Sequence, residues 1–356
     1  GQAYGLGVPG EELAKDGLEY LRAARVEDGP DAGVAGKRVA VIGGGNTAID
    51  VARTLVRQGA KPVIVYRRRR EDMPAFAHEV DRALAEGVEL LELQAPISLT
   101  REGDAFKLAV QKMKSTEPGA DGRRRIQAIP GETSDLILAD VYAAIGVEPT
   151  PAWAKLLKET PQVRLAQATL ALGAVPVAFI GDLTTKDKSV SDAIASGKEA
   201  ALALDICLGE GAEAVEGRLA ACRVGGGPSL SMERYLGLAR AQRDSHVVAF
   251  DELNADYFPP LARTRPKVTP PGASVHSFEE VELGLTLREA GLEAERCFSC
   301  GTCNDCDNCQ SFCPDTAARF SDGTRRIDTD YCKGCGVCVE ECPRGAMIMS
   351  KEGARR

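Results

Sequence analysis

From Lys37 onward, short apolar runs alternate with amphipathic stretches. Residues 38–42 (Arg-Val-Ala-Val-Ile) have strand length and are almost wholly apolar, as expected of a strand buried on both faces of a parallel sheet. They run into Gly43-Gly44-Gly45-Asn46-Thr47-Ala48, after which Ala48, Val51, Ala52 and Leu55 recur at helical spacing as far as Gly59. Residues 62–66 read as a second strand. Phe76, Val80, Ala83, Leu84 and Val88 mark an amphipathic helix with Pro74 near its start, and residues 88–93 form a third strand.

The pattern loosens between residues 105 and 130. Residues 107–114 alternate like an exposed strand, and the glycines and arginines at 119–125 read as a hairpin tip. Residues 136–138 and 141–145 resume buried strands, stopped by Gly146 and Pro149. A short helix follows around Trp153 to Lys158, then weak strands, then a firmer strand at 177–180 that enters Gly181-Asp182. Val190, Ala193, Ile194, Gly197, Ala200, Ala201 and Leu204 then have helical spacing.

The two ends of the chain are less regular. Leu13, Gly17, Leu18 and Leu21 predict a short helix, closed by a linker at Gly29-Pro30 and Gly33. Residues 225–295 hold Gly225-Gly226-Gly227-Pro228, Pro259-Pro260 and Pro270-Pro271-Gly272. They read as an extended connector with one helix around 232–240 and another over 278–296.

Length changes the picture only by predicting two or three domains for 356 residues. Apolar residues at 44% and charged residues at 27% are ordinary for a globular chain, and no run of eighteen apolar residues predicts a membrane span. A net charge of −8 argues against nucleic acid as the main partner.

Cysteine changes it far more, since ten of the twelve lie between residues 297 and 342. Two stretches follow Cys-x2-Cys-x2-Cys-x3-Cys-Pro: Cys303, Cys306, Cys309, Cys313 with Pro314, and Cys332, Cys335, Cys338, Cys342 with Pro343. This is the bacterial ferredoxin run, in which three thiolates turn to one cluster and the fourth ligates the other. The spacing assigns Cys303, Cys306, Cys309 and Cys342 to one [4Fe–4S] cluster, and Cys332, Cys335, Cys338 and Cys313 to a second. Zinc hooks need neither the third cysteine nor the proline, and a disulfide framework belongs to small secreted domains. Such thiols call for a reducing compartment, most simply the cytoplasm. Cys297 and Cys300 keep the same rhythm ahead of the first run. A third centre, an alternative ligand pair and bystander thiols are all open for them, the last being favoured. Cys207 and Cys222 stand alone and read as small buried hydrophobes.

The glycine turn is a Gly-x-Gly-x-x-Ala fingerprint between a strand and a helix, the setting of a dinucleotide site. Gly43 permits the tight turn, Gly45 lets a pyrophosphate approach the backbone, and Ala48 lets helix pack on strand. The N–H groups at Asn46 and Thr47 open the helix toward the phosphates. Where an NAD(H) site carries a carboxylate, this chain has Arg67-Arg68-Arg69-Arg70, so NADP(H) is favoured over NAD(H), with a solvated basic turn as the alternative. Gly181-Asp182 before a helix opening at Val190 and Ala193 fits a flavin contact or a plain β–α unit. His78, His246 and His276 are scattered without ligand spacing.

Together these motifs resemble the small subunit of glutamate synthase and its relatives, oxidoreductases that use FAD and NAD(P) and carry iron–sulfur clusters. The residues that carry the likeness begin with Gly7-Val8-Pro9-Gly10-Glu11, the stretch from Val41 to Asp50, and Tyr66-Arg67-Arg68 with Met73-Pro74. They continue with Ala144-Ile145-Gly146, Gly181-Asp182, Ala193-Ile194-Ala195-Ser196-Gly197-Lys198 and Arg296-Cys297-Phe298-Ser299-Cys300-Gly301. The likeness is greatest to the branch with a C-terminal double-cluster module, whose members are linked to ferredoxin-dependent 2-oxoacid oxidoreductases, anaerobic aromatic metabolism and dissimilatory sulfite reductase.

The resemblance implies an α/β architecture in which a Rossmann-type NAD(P)H domain (34–139) is inserted in a two-part FAD domain (1–33 and 140–224). A connector (225–295) and an α+β ferredoxin-like module (296–356) follow. It also implies FAD contacts at Gly146, Gly181, Asp182, Val190 and Ala193. The family's first FAD fingerprint, expected upstream of Gly7, and the N-terminal cysteine domain of the glutamate synthase subunit are both absent, and the chain starts at Gly1. The expectation is a piece of a longer protein, or a second polypeptide that completes the FAD site.

The expected function is an NAD(P)H:acceptor oxidoreductase exchanging hydride between NADP(H) and FAD and single electrons, through two clusters, with a partner. That partner is a ferredoxin, a 2-oxoacid oxidoreductase, a sulfite-reductase-type enzyme or the glutamate synthase large subunit. A docking subunit without hydride chemistry and a glutamate synthase accessory subunit are the rivals. No side-chain acid or base is needed, so no catalytic residue is named.

Overall fold

Residues alternating along two neighbouring strands build the first half of the protein by facing two different layers. The computed structural model describes residues 2–26, 33–118, 124–184, 189–238, 246–321 and 324–350. The chain forms two units, Gly1–Ala154 with Pro266–Gly284, and Lys155–Arg265 with Leu285–Arg356.

The first unit runs β1 (Gln2–Ala3), β2 (Lys15–Asp16), α1 (Gly17–Val26), β3 (Arg38–Ile42), α2 (Asn46–Arg57), β4 (Lys61–Tyr66), α3 (Ala77–Ala85) and β5 (Glu89–Glu92). It continues with β6 (Gln94–Glu102), β7 (Ala105–Pro118), β8 (Arg124–Leu138), β9 (Asp140–Ala143) and β10 (Val147–Glu148). Five strands lie parallel in the order β2-β9-β3-β4-β5. On one face Val39, Val41 and Ile64 pack with Ala48, Ile49, Ala52 and Leu55 of α2 and with Tyr20 of α1. On the other, Ala40, Ile42, Val63 and Val65 meet Leu99, Leu108, Val110 and Leu138 of the antiparallel sheet β6-β7-β8. Successive strand residues point to opposite faces, so the near-continuous apolar runs serve both layers.

The second unit contains most of α4 (Pro151–Glu159), the antiparallel sheet β11 (Gln162–Arg164), β12 (Thr169–Leu172), β13 (Pro176–Phe179), and then α5 (Val190–Glu210), α6 (Val215–Cys222) and α7 (Met232–Tyr235). After α8 (Pro271–Ser274), which belongs to the first unit, come α9 (Leu287–Glu295), α10 (Asn308–Ser311), the hairpin β14 (Ala318–Ser321) and β15 (Thr324–Ile327), and α11 (Val337–Glu340). Leu202, Ala203 and Ile206 of α5 bury against Val215, Leu219 and Cys222 of α6, with Cys207 partly covered beside them. The doubly layered α/β class and the C-terminal α+β module are as the sequence predicts.

Four local expectations change. The helix expected from Leu13 begins only at Gly17, because Lys15 and Asp16 pair with Tyr142 and Ala143 of β9. The Asp16 carboxylate accepts the Leu18 N–H at 2.8 Å and starts the helix there. Residues 136–138 are not a buried run but the end of β8, where Leu138 is buried and Ile137 is exposed. The helix expected over 278–296 starts at Leu287, where Thr286 and Glu289 form a capping box. Ahead of it Glu282 bridges to Val268 and Gly284 takes φ +71°. The helix expected at 232–240 is the single turn α7 in its described part; residues 239–240, the hairpin tip at 119–123 and the linker at Gly29-Pro30 lie outside the described residues.

Candidate functional site

Gly43 leaves β3 at φ +143°, and a Cβ there would stand 2.2 Å from the Ala144 carbonyl oxygen, so no other residue fits. A Cβ on Gly44 would strike the Tyr66 ring at 2.4 Å. Gly45 is different. It is extended, it caps α2 without any side-chain cap bond, and a Cβ on it would meet nothing within 4 Å. The space over Gly45 at the start of α2 thus leaves room for an anion that the N–H groups of Asn46 and Thr47 could take. Ala48 is fully buried and its N–H bonds the Gly45 carbonyl at 2.9 Å. The Asn46 side-chain oxygen accepts the Phe76 N–H at 3.0 Å, and Ala75 N–H donates to Gly44 O at 3.2 Å, which latches the segment after β4 across the glycine turn.

That segment starts with the four arginines. Arg69 lies 3.8 Å from Glu71, and Arg70 pairs with Asp81. Arg67 is exposed and Arg68 half-buried, and among the described residues neither pairs with a carboxylate. Guanidinium groups that pair with no carboxylate among the described residues have the chemistry to take a 2′-phosphate.

Behind α2 and α3 lies a charge network that periodicity does not reveal. The Glu86 side chain is 2% exposed and accepts from Arg53 at 2.8 Å and from Arg57 at 3.0 Å. Burial pushes its carboxyl up, but the two arginines outweigh this and hold it at about 2. Ser274 Oγ donates to the same carboxylate at 3.1 Å, and Arg82 bonds Glu282 at 2.6 Å, so part of the connector belongs to the nucleotide unit.

The flavin-side residues divide between the two units. In the first, Gly146 has φ +112° and its carbonyl accepts the Tyr4 N–H at 3.1 Å, extending the β1-β10 pairing. In the second, Gly181 is buried at φ +60° and its N–H donates to Ser196 Oγ at 2.8 Å. Asp182 is exposed beside it, Val190 opens α5 and Ala193 packs under Gly181. Ile180, Leu183, Val190 and Ile194 are all exposed here, an uncovered apolar surface around a polar turn, which suits a flat aromatic ligand with a hydroxylated tail. Sequence reading missed the buried Glu199, which accepts the N–H groups of Gln167 and Ala168 at 2.7 and 3.0 Å.

The cysteine runs fold as two copies of one loop, offset by 29 residues from Cys303–Cys313 to Cys332–Cys342. Asp305, Asp307 and Thr316 take left-handed φ values of 55°, 63° and 52°; their counterparts Gly334, Gly336 and Gly345 take 68°, 81° and 60°. Helix α10 corresponds to α11. Ala317 N–H bonds Cys313 Sγ at 3.2 Å, and Ala346 N–H bonds Cys342 Sγ at 3.2 Å, donors suited to anionic sulfur.

Burial pushes the Cys309 thiol up, Arg325 opposes this, and Cys303, Cys306 and Cys342 add to the rise. A cavity of ≈ 30 Å³ is lined by Cys313, Cys332, Cys335 and Cys338 with Ala317, Ala318, Ile327, Val337 and Met349. Cys303, Cys306 and Cys342 therefore lie close enough to Cys309 to act on it, Cys313 shares a cavity lining with Cys332, Cys335 and Cys338, and Cys338 also feels Cys309. Among the described residues no three His, Cys, Asp or Glu side chains are placed to hold a single ion; a cubane instead binds each thiolate to a separate iron. Cys297 and Cys300 are both exposed, and the Cys297 thiol is drawn below its usual range, chiefly by the Ser299 N–H. Of the histidines, His78 lies 3.5 Å from Glu79 and His246 2.9 Å from Glu252. No described helix is long and apolar enough to cross a membrane.

The chain is 32% identical over 83% of its length to the NADP(+)-dependent formate dehydrogenase subunit beta of Moorella thermoacetica, spanning 40% of that protein. It is 36% identical over 41% of its length to the glutamate synthase [NADPH] small chain of Halomonas elongata, spanning 33% of it. The chain therefore covers well under half of each of these relatives. The crystal structure of Lactococcus lactis thioredoxin reductase matches with a TM-score of 0.40 and 19% identity, over 56% of this chain and 61% of that one. Residues 325–348 match the 4Fe-4S binding domain. Residues 1–197 match the pyridine nucleotide-disulphide oxidoreductase model, and the chain belongs to that family as a glutamate-synthase-small-subunit-like oxidoreductase with a ferredoxin module.

Proposed function

We propose that this oxidoreductase moves reducing equivalents between NADP(H) and a partner redox protein by way of FAD and two [4Fe–4S] clusters. When bound, nicotinamide and flavin supply two-electron hydride chemistry and the clusters supply one-electron transfer. What supports the reading is the occurrence, in one chain, of a glycine turn at an open helix N-terminus, of Arg67 and Arg68 that pair with no carboxylate among the described residues, and of the two cysteine runs.

The chain's own residues act by binding and orienting. Gly43 and Gly45 shape the turn, the N–H groups of Asn46 and Thr47 take the pyrophosphate, and Ala48 seats the helix. Arg67 and Arg68 take the 2′-phosphate, which selects NADP(H) over NAD(H). Asp182 accepts a hydroxyl of FAD, Gly146 and Gly181 let its backbone neighbours approach, and Val190 and Ala193 lie under it. Cys303, Cys306, Cys309 and Cys342 hold one cluster; Cys332, Cys335, Cys338 and Cys313 hold the other. Cys297 and Cys300 stay outside both. In domain terms, 1–33 and 140–224 serve FAD, 34–139 NADP(H), and 296–356 the clusters, with 225–295 as connector. Relatives named as subunits of formate dehydrogenase and glutamate synthase support a place beside a partner enzyme, and the eight thiols favour a reducing compartment.

The test is anaerobic addition of NADPH to protein loaded with FAD and iron, read by flavin absorbance and by electron paramagnetic resonance of the clusters. Bleaching of the flavin together with reduction of the clusters is expected. Bound FAD that neither NADPH nor NADH bleaches would leave only an electron-transfer and docking role.

A further inference from the structure

We propose that Arg325 raises the reduction potential of one cluster, the one held by Cys303, Cys306, Cys309 and Cys342, above that of its twin. The proposal rests on the two-cluster reading above and gives the two sites different roles.

The argument starts from strand alternation. On β15, Thr324 and Arg326 face solvent while Arg325 and Ile327 turn inward. Directly across the hairpin Phe320 pairs with Arg325, and its ring lies 4.7 Å from the guanidinium carbon. The Arg325 side chain is 12% exposed. It donates to Gln310 Oε1 at 3.0 Å and to Asp307, both in the loop and helix that present Cys306 and Cys309. Its Nε is buried without a hydrogen-bond acceptor, although Asp305 lies 3.9 Å away. A cation with an unused donor is thus fixed beside the Cys309 thiol.

The other set has no such cation among the described residues. Its lining is mostly apolar, with Ala317, Ala318, Ile327, Val337 and Met349, and the cation in that lining, Lys333, is 78% exposed and paired with Asp315 at 2.8 Å. One-electron reduction adds a negative charge to a site that is already anionic. A buried guanidinium favours that charge, while a mostly apolar wall whose cation is exposed to water and paired with a carboxylate does little to favour it. Asp305 and Asp307 offset Arg325 only in part, because they are 67% and 58% exposed and water screens them. A cluster held beside Arg325 would therefore be the easier of the two to reduce, and one held in the apolar site the more strongly reducing.

The experiment is a potentiometric titration of the full chain, loaded anaerobically and followed by electron paramagnetic resonance, with iron content measured in parallel. The wave lost in Cys342→Ala identifies the cluster beside Arg325. In Arg325→Gln that wave should move to lower potential at unchanged iron content while the other stays in place, and Arg325→Lys should restore most of the shift. Asp307→Asn should move the same wave upward, which keeps the idea testable if Arg325→Gln loses iron. Equal movement of both waves, or movement of neither, overturns the assignment to Arg325 while leaving two clusters standing. Iron near four per chain removes the two-cluster reading itself, and this assignment with it.

Discussion

Arg67 and Arg68 show how far single residues could be read ahead of the fold. Their type and distance from the glycine turn were visible in the sequence, because phosphate chemistry requires those groups at short, fixed spacings. Which of the four arginines are free was not, since Asp81 and Glu71 claim the other two only after folding. Changing Arg67 and Arg68 to Ala should weaken NADPH binding roughly 10- to 150-fold, the equivalent of about 1.5–3 kcal/mol, and leave NADH binding nearly unchanged. Equal losses for both, measured by flavin reduction kinetics, would make the arginines a solvated turn. The same division holds for Ser196 and Arg325: each acts on a partner many residues distant, Gly181 for one and Asp307 for the other, and no local pattern encodes such pairs.

At the scale of elements, β3-α2-β4 was legible because apolar runs, glycines and helical spacing agree there. The antiparallel layer β6-β7-β8 was only partly legible, since one of its faces is exposed and its sequence is mixed. The late start of α9 was missed because Phe278, Val281, Leu283 and Leu285 are apolar enough to mimic a helix, and the break comes from Gly284 and the Thr286 cap. The packing of α2 on α3 carries its own prediction. The Glu86 carboxyl titrates at about 2 when folded against an ordinary 4.5. A carboxyl depressed by folding stabilises the fold above its unfolded value and loses that contribution as the pH falls. Stability should therefore decline between about pH 4.5 and pH 2, and Glu86→Gln should flatten that decline. At neutral pH the variant should cost up to about 3–5 kcal/mol, because Arg57 is left buried without its carboxylate and Arg53 keeps only Glu79. Denaturant unfolding at a series of pH values would settle both points, and an unchanged acid limb in the variant would count against the network.

For the molecule as a whole, the cysteine module was the most legible part, and the path of the connector the least. Anaerobically loaded protein should hold about eight irons, and Cys342→Ala should damage the cluster on Cys303, Cys306 and Cys309 rather than the one in its own run. About twelve irons would bring Cys297 and Cys300 into a third centre. The connector instead depends on tertiary pairing: Ser274 and Glu282 return to the nucleotide unit through Glu86 and Arg82. The chain consequently passes between the two units three times, after Ala154, after Arg265 and after Gly284. A protease nick at the first of these points would not free the nucleotide unit, whose two pieces remain bound by those side chains. Nor can a gene fragment that stops at Ala154 reproduce it, because the hydroxyl that covers Glu86 would be missing from the product.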